Sequence, residues 1–310
     1  MAPSALAVNV AGIDFQNPVL LAAGTAAYGR ELARVIDLDA LGGLVTKAVS
    51  VEPRHGAPAP RVAEFEGGMI NAVGLANPGV EEVKADHLPW LATHLQRAKV
   101  LVNVVGSRTE DFATVVAALS GSAPVAAFEL NVSCPNVKAG GMEFGADPSA
   151  LKDVVARARA ETSRPIFVKL SPTLADIANS AKIAADAGAD GISVVNTLPG
   201  LVIDVESRKP ALGFGTGGVS GPGLLPVGVL ATYKVAKAVK LPVIGVGGIS
   251  VATDIVQYVL AGASLIAIGT AAMQKPKLAG KLVGELERWC RDHGVRSLAE
   301  LRGSLHWERQ

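Results

Sequence analysis

Short apolar runs recur along this chain, each followed by a polar loop and most by an amphipathic stretch. That alternation limits the fold more than any other feature. Strands buried on both faces read as unbroken Val/Ile/Leu segments, and helical connections make neighbouring strands parallel. Pro18–Ala22, Leu44–Thr46, Val100–Val105, Ala126–Leu130, Pro165–Leu170, Gly191–Val195, Pro242–Val246 and Ser264–Ile268 read as such strands. Helices are predicted over Glu31–Ile36, Glu110–Leu119, Pro148–Ala160, Leu174–Ala187, Leu225–Val239, Val251–Leu260 and Lys277–Cys290. Leu6–Val10 and Ile13–Phe15, joined at Ala11-Gly12, form a hairpin suited to plugging one end of a barrel. Ser50–Pro89 is too long to be a mere connector, and Val202–Ala211 reads as an inserted hairpin. The fold class is therefore α/β: a (β/α)8 TIM barrel with an N-terminal hairpin and loops and hairpins inserted at its C-terminal face. Residues 1–310 are expected to form one domain. An open, doubly wound sheet is the alternative, because ring closure leaves no trace in a linear sequence.

Composition narrows the partners. A 49% hydrophobic content with 34 glycines suits buried strands joined by tight turns. The 29 basic and 28 acidic residues nearly cancel, which gives no electrostatic reason to expect nucleic acid or an anionic membrane. Cys134 and Cys290 are too few for a disulfide framework, which favours a reducing compartment. The histidines show no metal-ligand spacing, so no metal site is expected. No apolar run approaches the roughly 20 residues that span a bilayer, and the first residues lack a signal-peptide pattern. A cytoplasmic location is the resulting expectation.

In parallel barrels the chemistry sits where strands end and their loops begin. Those ends carry Gly24 and Thr25, Lys47, Asn103, Asn131, Lys169, Asn196 with Thr197, Gly247-Gly248 and Gly269-Thr270. Convergent amides can both donate to and accept from one planar ligand. The lysines add positive charge where a carboxylate or a reduced cofactor would be negative. Glycine-exposed backbone N–H groups at a helix start bind phosphate, and the loops after strands seven and eight are the usual phosphate site of a barrel. Ordinary turn glycines are the alternative. A phosphate there, with Lys169 and Asn103 across the mouth, suits a flavin mononucleotide (FMN) lying over the barrel.

Asn131-Val132-Ser133-Cys134-Pro135-Asn136 follows the fourth strand and leads into Gly140, Gly141 and Gly145. A cysteine at a strand mouth, flanked by amides and a glycine-rich flap, reads as a proton-transferring thiol. Most free cysteines are instead small buried hydrophobes. Cys290, in the last predicted helix, is read that way.

With these residues in view, the chain resembles the class 1 dihydroorotate dehydrogenases, an FMN-containing barrel family, from Asn17-Pro18 to Gly269-Thr270. The matching elements are Lys47-Ala48, Pro60–Glu64, Asn71–Leu75 with Asn77-Pro78-Gly79, Asn131–Asn136, Val168–Pro172, Asn196-Thr197, Ser220-Gly221-Pro222 and Gly247-Gly248. Asn136–Gly141 looks like class 1B rather than 1A. Cys134 and the short N-terminus argue against class 2, whose base is serine.

The resemblance implies oxidation of (S)-dihydroorotate to orotate in pyrimidine biosynthesis. It implies Cys134 and Lys47 as catalytic residues, with substrate held by Lys47, Asn71, Ala72, Val73, Gly74, Leu75, Asn131, Asn196 and Thr197. FMN would be held by Gly24, Thr25, Lys47, Ala48, Asn103, Asn131, Lys169, Val195, Gly221, Gly247, Gly248, Gly269 and Thr270. Class 1B chains form a homodimer core joined to a subunit that carries FAD and a [2Fe-2S] cluster and reduces NAD+, giving a heterotetramer. Two cysteines cannot hold such a cluster, and Gly24–Gly29 does not fit a dinucleotide fingerprint. Those groups are expected on a partner, not on this chain. A fumarate-linked class 1A enzyme and a dihydropyrimidine dehydrogenase-like module are the near alternatives. A tRNA dihydrouridine synthase would be expected to carry a basic RNA-binding surface, and the balanced charge gives no sign of one. A binding protein that merely kept the fold would have no need of Cys134, Lys47 and the amides together.

Overall fold

The computed structural model describes residues 4–133, 135–136 and 142–307 of the chain. Cys134, Gly140 and Gly141, which the sequence singles out, lie outside the described residues. Eight strands close into a parallel barrel, as the alternation predicts: β1 (Val19–Leu21), β2 (Gly43–Val45), β3 (Lys99–Val104), β4 (Val125–Asn131), β5 (Ile166–Leu170), β6 (Gly191–Val194), β7 (Val243–Val246) and β8 (Leu265–Ile268). Each pairs with its sequence neighbour, and β8 returns to β1 through Ile266↔Val19, Ala267↔Leu20 and Ile268↔Leu21. That closure rules out the open-sheet alternative.

The helices on the outside are α1 (Leu88–His94), α2 (Thr109–Leu119), α3 (Pro148–Ala160), α4 (Ile177–Asp186), α5 (Leu225–Ala238), α6 (Ala252–Ala261) and α7 (Leu278–Asp292). Their apolar faces pack on the outward side of the strands in one core that includes Phe112, Leu151, Val155, Ala181, Val235, Ile255 and Leu286. The side-chain period of two sends alternate strand residues into the barrel. Leu20, Val45, Leu101, Ala127, Phe167, Ile244 and Leu265 form that inner cluster. Val10 and Phe15 of the N-terminal hairpin (Val8–Val10 with Ile13–Phe15) join it, so the hairpin plugs the barrel as expected.

The helix predicted at Glu31–Ile36 is not formed. Only a 3-10 turn, Leu32–Arg34, is present, followed by a second at Leu38–Ala40. Asp37 has extended backbone, and its carboxylate accepts from the Asp39 N–H, starting a new turn where a helix would have continued. The long excursion after β2 and the segment after β6 meet over the C-terminal face. There they form a four-stranded antiparallel sheet of Val62–Phe65, Gly68–Asn71, Gly217–Ser220 and Leu198–Gly200. The hairpin expected at Val202–Ala211 is a short one, Ile203–Asp204 with Lys209–Pro210.

Candidate active site

Two adjoining cavities open at the C-terminal face, of about 170 and 480 Å³, and Asn196 and Thr197 line both. Thr25, Asn71, Lys169, Val195, Gly221, Gly247, Gly248, Gly269 and Thr270 line the smaller one. Ala72, Gly74, Leu75, Ser133, Glu143 and Ser171 line the larger. Most residues expected to hold a cofactor thus gather in one cavity and most of those expected to hold substrate gather in the other. Asn71 crosses that division: it lines the smaller cavity and donates its amide to the Gly218 carbonyl at 3.2 Å.

The glycines have local reasons. Gly247 and Gly248 take φ of 122° and 73°, a left-handed backbone that favours glycine. A Cβ on Gly248 would stand 2.3 Å from the Leu225 nitrogen, and one on Gly221 would stand 2.7 Å from the Gly68 Cα. The Thr270 hydroxyl donates to the Ser220 hydroxyl at 2.7 Å, joining the turn after β8 to the sheet over the mouth. Asp254 Oδ2 accepts from the Ser250 and Val251 backbone N–H groups at 2.8 and 3.0 Å, which fixes the chain just before α6 begins at Ala252. The glycine turns after β7 and β8 both line the smaller cavity. Glycine turns converging on one cavity, with Lys169 at its other side, fit an FMN phosphate and ring.

Between the two cavities the amides are linked. Asn196 Nδ2 donates to Asn131 Oδ1 at 3.3 Å, and Asn196 Oδ1 accepts from the Thr197 N–H at 2.9 Å. Asn103 Nδ2 donates to Glu129 Oε1 at 2.7 Å, and Lys169 Nζ stands 3.9 Å from the same oxygen.

Several expected residues stand back from these walls. Lys47 is half-buried just past β2, and its backbone N–H donates to the Ala27 carbonyl at 2.8 Å. Ala48 is buried, and its carbonyl accepts from the Tyr28 hydroxyl at 3.0 Å. Gly24, Lys47, Ala48, Val73, Asn103 and Asn131 line neither cavity. The Val73 carbonyl accepts from the Ala57 N–H at 3.1 Å, which fixes the Asn71–Leu75 segment against the excursion.

Sequence reasoning missed Glu129, Glu143, Ser133 and Ser171 as site residues. Glu129 carried a usable signal, a lone carboxylate inside the apolar strand Val125–Asn131. Glu143 pairs with Pro135 in a short ladder beside the Cys134 position. Burial pushes the Glu143 carboxyl above its ordinary range, and a hydrogen bond from Ser171 partly opposes this. Glu143 Oε2 and the Ser133 hydroxyl are buried without a hydrogen-bond partner among the described residues. Cys290 is buried in the outer core, as its packing reading expects.

The dihydroorotate dehydrogenase family profile matches residues 5–289. The chain is 45% identical over 300 residues to the protein named dihydroorotate dehydrogenase B (NAD(+)), catalytic subunit, of Pelobacter propionicus, covering 97% of this chain and 98% of that one. It is 46% identical to the protein of that name from Desulforudis audaxviator, with 97% of each chain covered. The Cutibacterium acnes protein of that name is 42% identical, with 98% of this chain and 99% of that one covered. A barrel with these two joined cavities, matched along nearly its whole length, belongs to the dihydroorotate dehydrogenase family.

Proposed function

We infer that this chain is the FMN-binding catalytic subunit of an NAD+-linked dihydroorotate dehydrogenase, oxidising (S)-dihydroorotate to orotate in pyrimidine biosynthesis. The observation that carries this reading is the pair of cavities sharing Asn196 and Thr197. A ligand in one is then held against a ligand in the other by the same side chains.

Gly221, Gly247, Gly248, Gly269 and Thr270 would hold the FMN phosphate and ribityl chain, and Lys169, which lines the same cavity, would supply positive charge to it. Bound FMN supplies a two-electron hydride acceptor for C6 of the substrate. The protein's own task is the proton. Cys134 as thiolate takes it from C5, so the C5–C6 bond becomes double. Cys134 lies outside the described residues, and Ser133 beside it lines the larger cavity. Asn131, Asn196 and Thr197 orient the pyrimidine. Lys47, Asn71 and the Ala72–Leu75 segment complete the substrate site. Positive charge on Lys169 favours arrival of negative charge in the cavity it lines.

Electrons leave through a partner subunit carrying FAD and a [2Fe-2S] cluster, joined to a homodimer of this chain. Support comes from the relatives' name, which makes them catalytic subunits, and from chemistry. The chain's two cysteines fall short of the four thiolates that hold a typical [2Fe-2S] cluster. No described helix is long and apolar enough to cross a membrane. The test is reconstitution. Purified chain with dihydroorotate should reduce NAD+ only after the FAD/[2Fe-2S] subunit is added. Rapid turnover with fumarate by the chain alone would instead indicate a self-sufficient class 1A enzyme.

A further inference from the structure

The inner face of the barrel is divided by polarity. Asn103 on β3, Glu129 on β4, Lys169 on β5 and Ser193 on β6 sit on consecutive strands, with Asn103 beside Glu129 and Lys169 beside Ser193 in register. Across from them the interior is apolar, with Val45, Val246 and Ala267. Glu129 is 1% exposed and Lys169 6% exposed. The Ser193 hydroxyl is buried without a hydrogen-bond partner among the described residues.

Lys169 lines the smaller cavity, whereas Glu129 does not. Glu129 is paired with Phe167, two residues before Lys169 on β5, so the carboxylate lies one layer below the lysine. At 3.9 Å the two are a Coulombic pair rather than a hydrogen bond. The Asn103 amide, donating at 2.7 Å, keeps the carboxylate in place. In a water-poor interior a single charge at this distance has a large effect on any charge that develops above it.

We propose that Glu129 is a positioning residue that sets the reduction potential of the flavin by offsetting the charge of Lys169. This rests on the FMN reading of the smaller cavity. Lysine alone in the wall of that cavity would favour added electrons strongly. The carboxylate partner cancels much of that field, so reduction by substrate remains balanced by onward transfer to the partner subunit. The sign follows directly. Removing the carboxylate raises the midpoint, and removing the lysine while leaving the carboxylate lowers it.

The test is spectroelectrochemical titration of FMN-loaded protein. Glu129→Gln keeps an oxygen for the Asn103 amide while losing the charge. It should shift the two-electron midpoint positive by at least a tenfold change in equilibrium, about 30 mV. Lys169→Met should shift it negative. The double variant removes both charges, a change buried pairs often tolerate, and should return the midpoint to within a threefold change of wild type. A Glu129→Gln midpoint that is unchanged or more negative overturns the proposal. If that variant does not fold, a double variant no closer to wild type than Lys169→Met overturns it equally. Wild-type protein that takes up no FMN would instead overturn the cofactor reading itself, which separates the two failures.

Discussion

The Tyr258 hydroxyl donates to the Gly247 carbonyl oxygen at 2.7 Å, tying α6 to the turn that follows β7. The ring is fully buried; a Cβ on Gly245 would stand 2.3 Å from it, and one on Gly228 would stand 1.9 Å from the hydroxyl oxygen. Both glycines leave room for the tyrosine, and the tyrosine fixes the turn. Tyr258→Phe keeps the packing and loses the bond. FMN affinity should fall about fivefold, matching the ~1 kcal/mol of a typical hydrogen bond. Equilibrium titration of apoprotein by flavin fluorescence measures it, and unchanged affinity would remove Tyr258 from the cofactor site.

Gly191 at the start of β6 is paired with Phe167 on the neighbouring strand β5, and an added Cβ would lie 2.3 Å from the ring. Gly191→Ala should cost about 1–3 kcal/mol through overpacking. Phe167→Leu in the same chain should recover part of that loss, because the smaller side chain vacates the overlap. Urea denaturation of the three variants reads both effects. A fully stable Gly191→Ala would show that the interior is looser than the structure describes.

Glu143 links stability to pH. Burial raises its folded-state carboxyl pKa above the ordinary 4.5. A raised folded value means that the native state binds this proton more tightly than the unfolded chain does. The stabilisation is complete below the unfolded pKa and is lost as pH rises through the folded one. Wild type should therefore lose stability relative to Glu143→Gln as pH rises from about 4 toward neutrality. Paired denaturation curves across that range check the sign, and a difference independent of pH would contradict it.

Cys134 and Cys290 should behave oppositely. Cys134→Ala should retain FMN and bind orotate, yet lose at least about a hundredfold in turnover, the lower range for a positioned proton acceptor. Cys290→Ala, deep in the outer core, should leave kcat and KM unchanged. Near-normal turnover by Cys134→Ala would exclude that thiol from proton transfer.

The barrel strands were legible because burial on both faces leaves unbroken apolar runs, and β5 and α3 fall where Pro165–Leu170 and Pro148–Ala160 predict them. The sheet over the mouth was not. Its pairing of Asn71 with Gly218 joins short segments far apart in sequence, and nothing in either segment names the other. The first predicted helix is cut to the turn Leu32–Arg34, and Asp37, whose side chain caps a new turn at Leu38–Ala40, stops any continuation. At the site, the glycine turns could be read because they end strands. Glu129 was passed over because its strand was read for apolar content rather than for the one residue that breaks it.

The most direct measurement is an anaerobic titration of the flavin-loaded chain with (S)-dihydroorotate, followed by visible absorbance and by orotate yield. Bleaching of the flavin band with one orotate formed per FMN is the predicted result. A flavin spectrum unchanged at saturating dihydroorotate would contradict a redox site built across the two cavities.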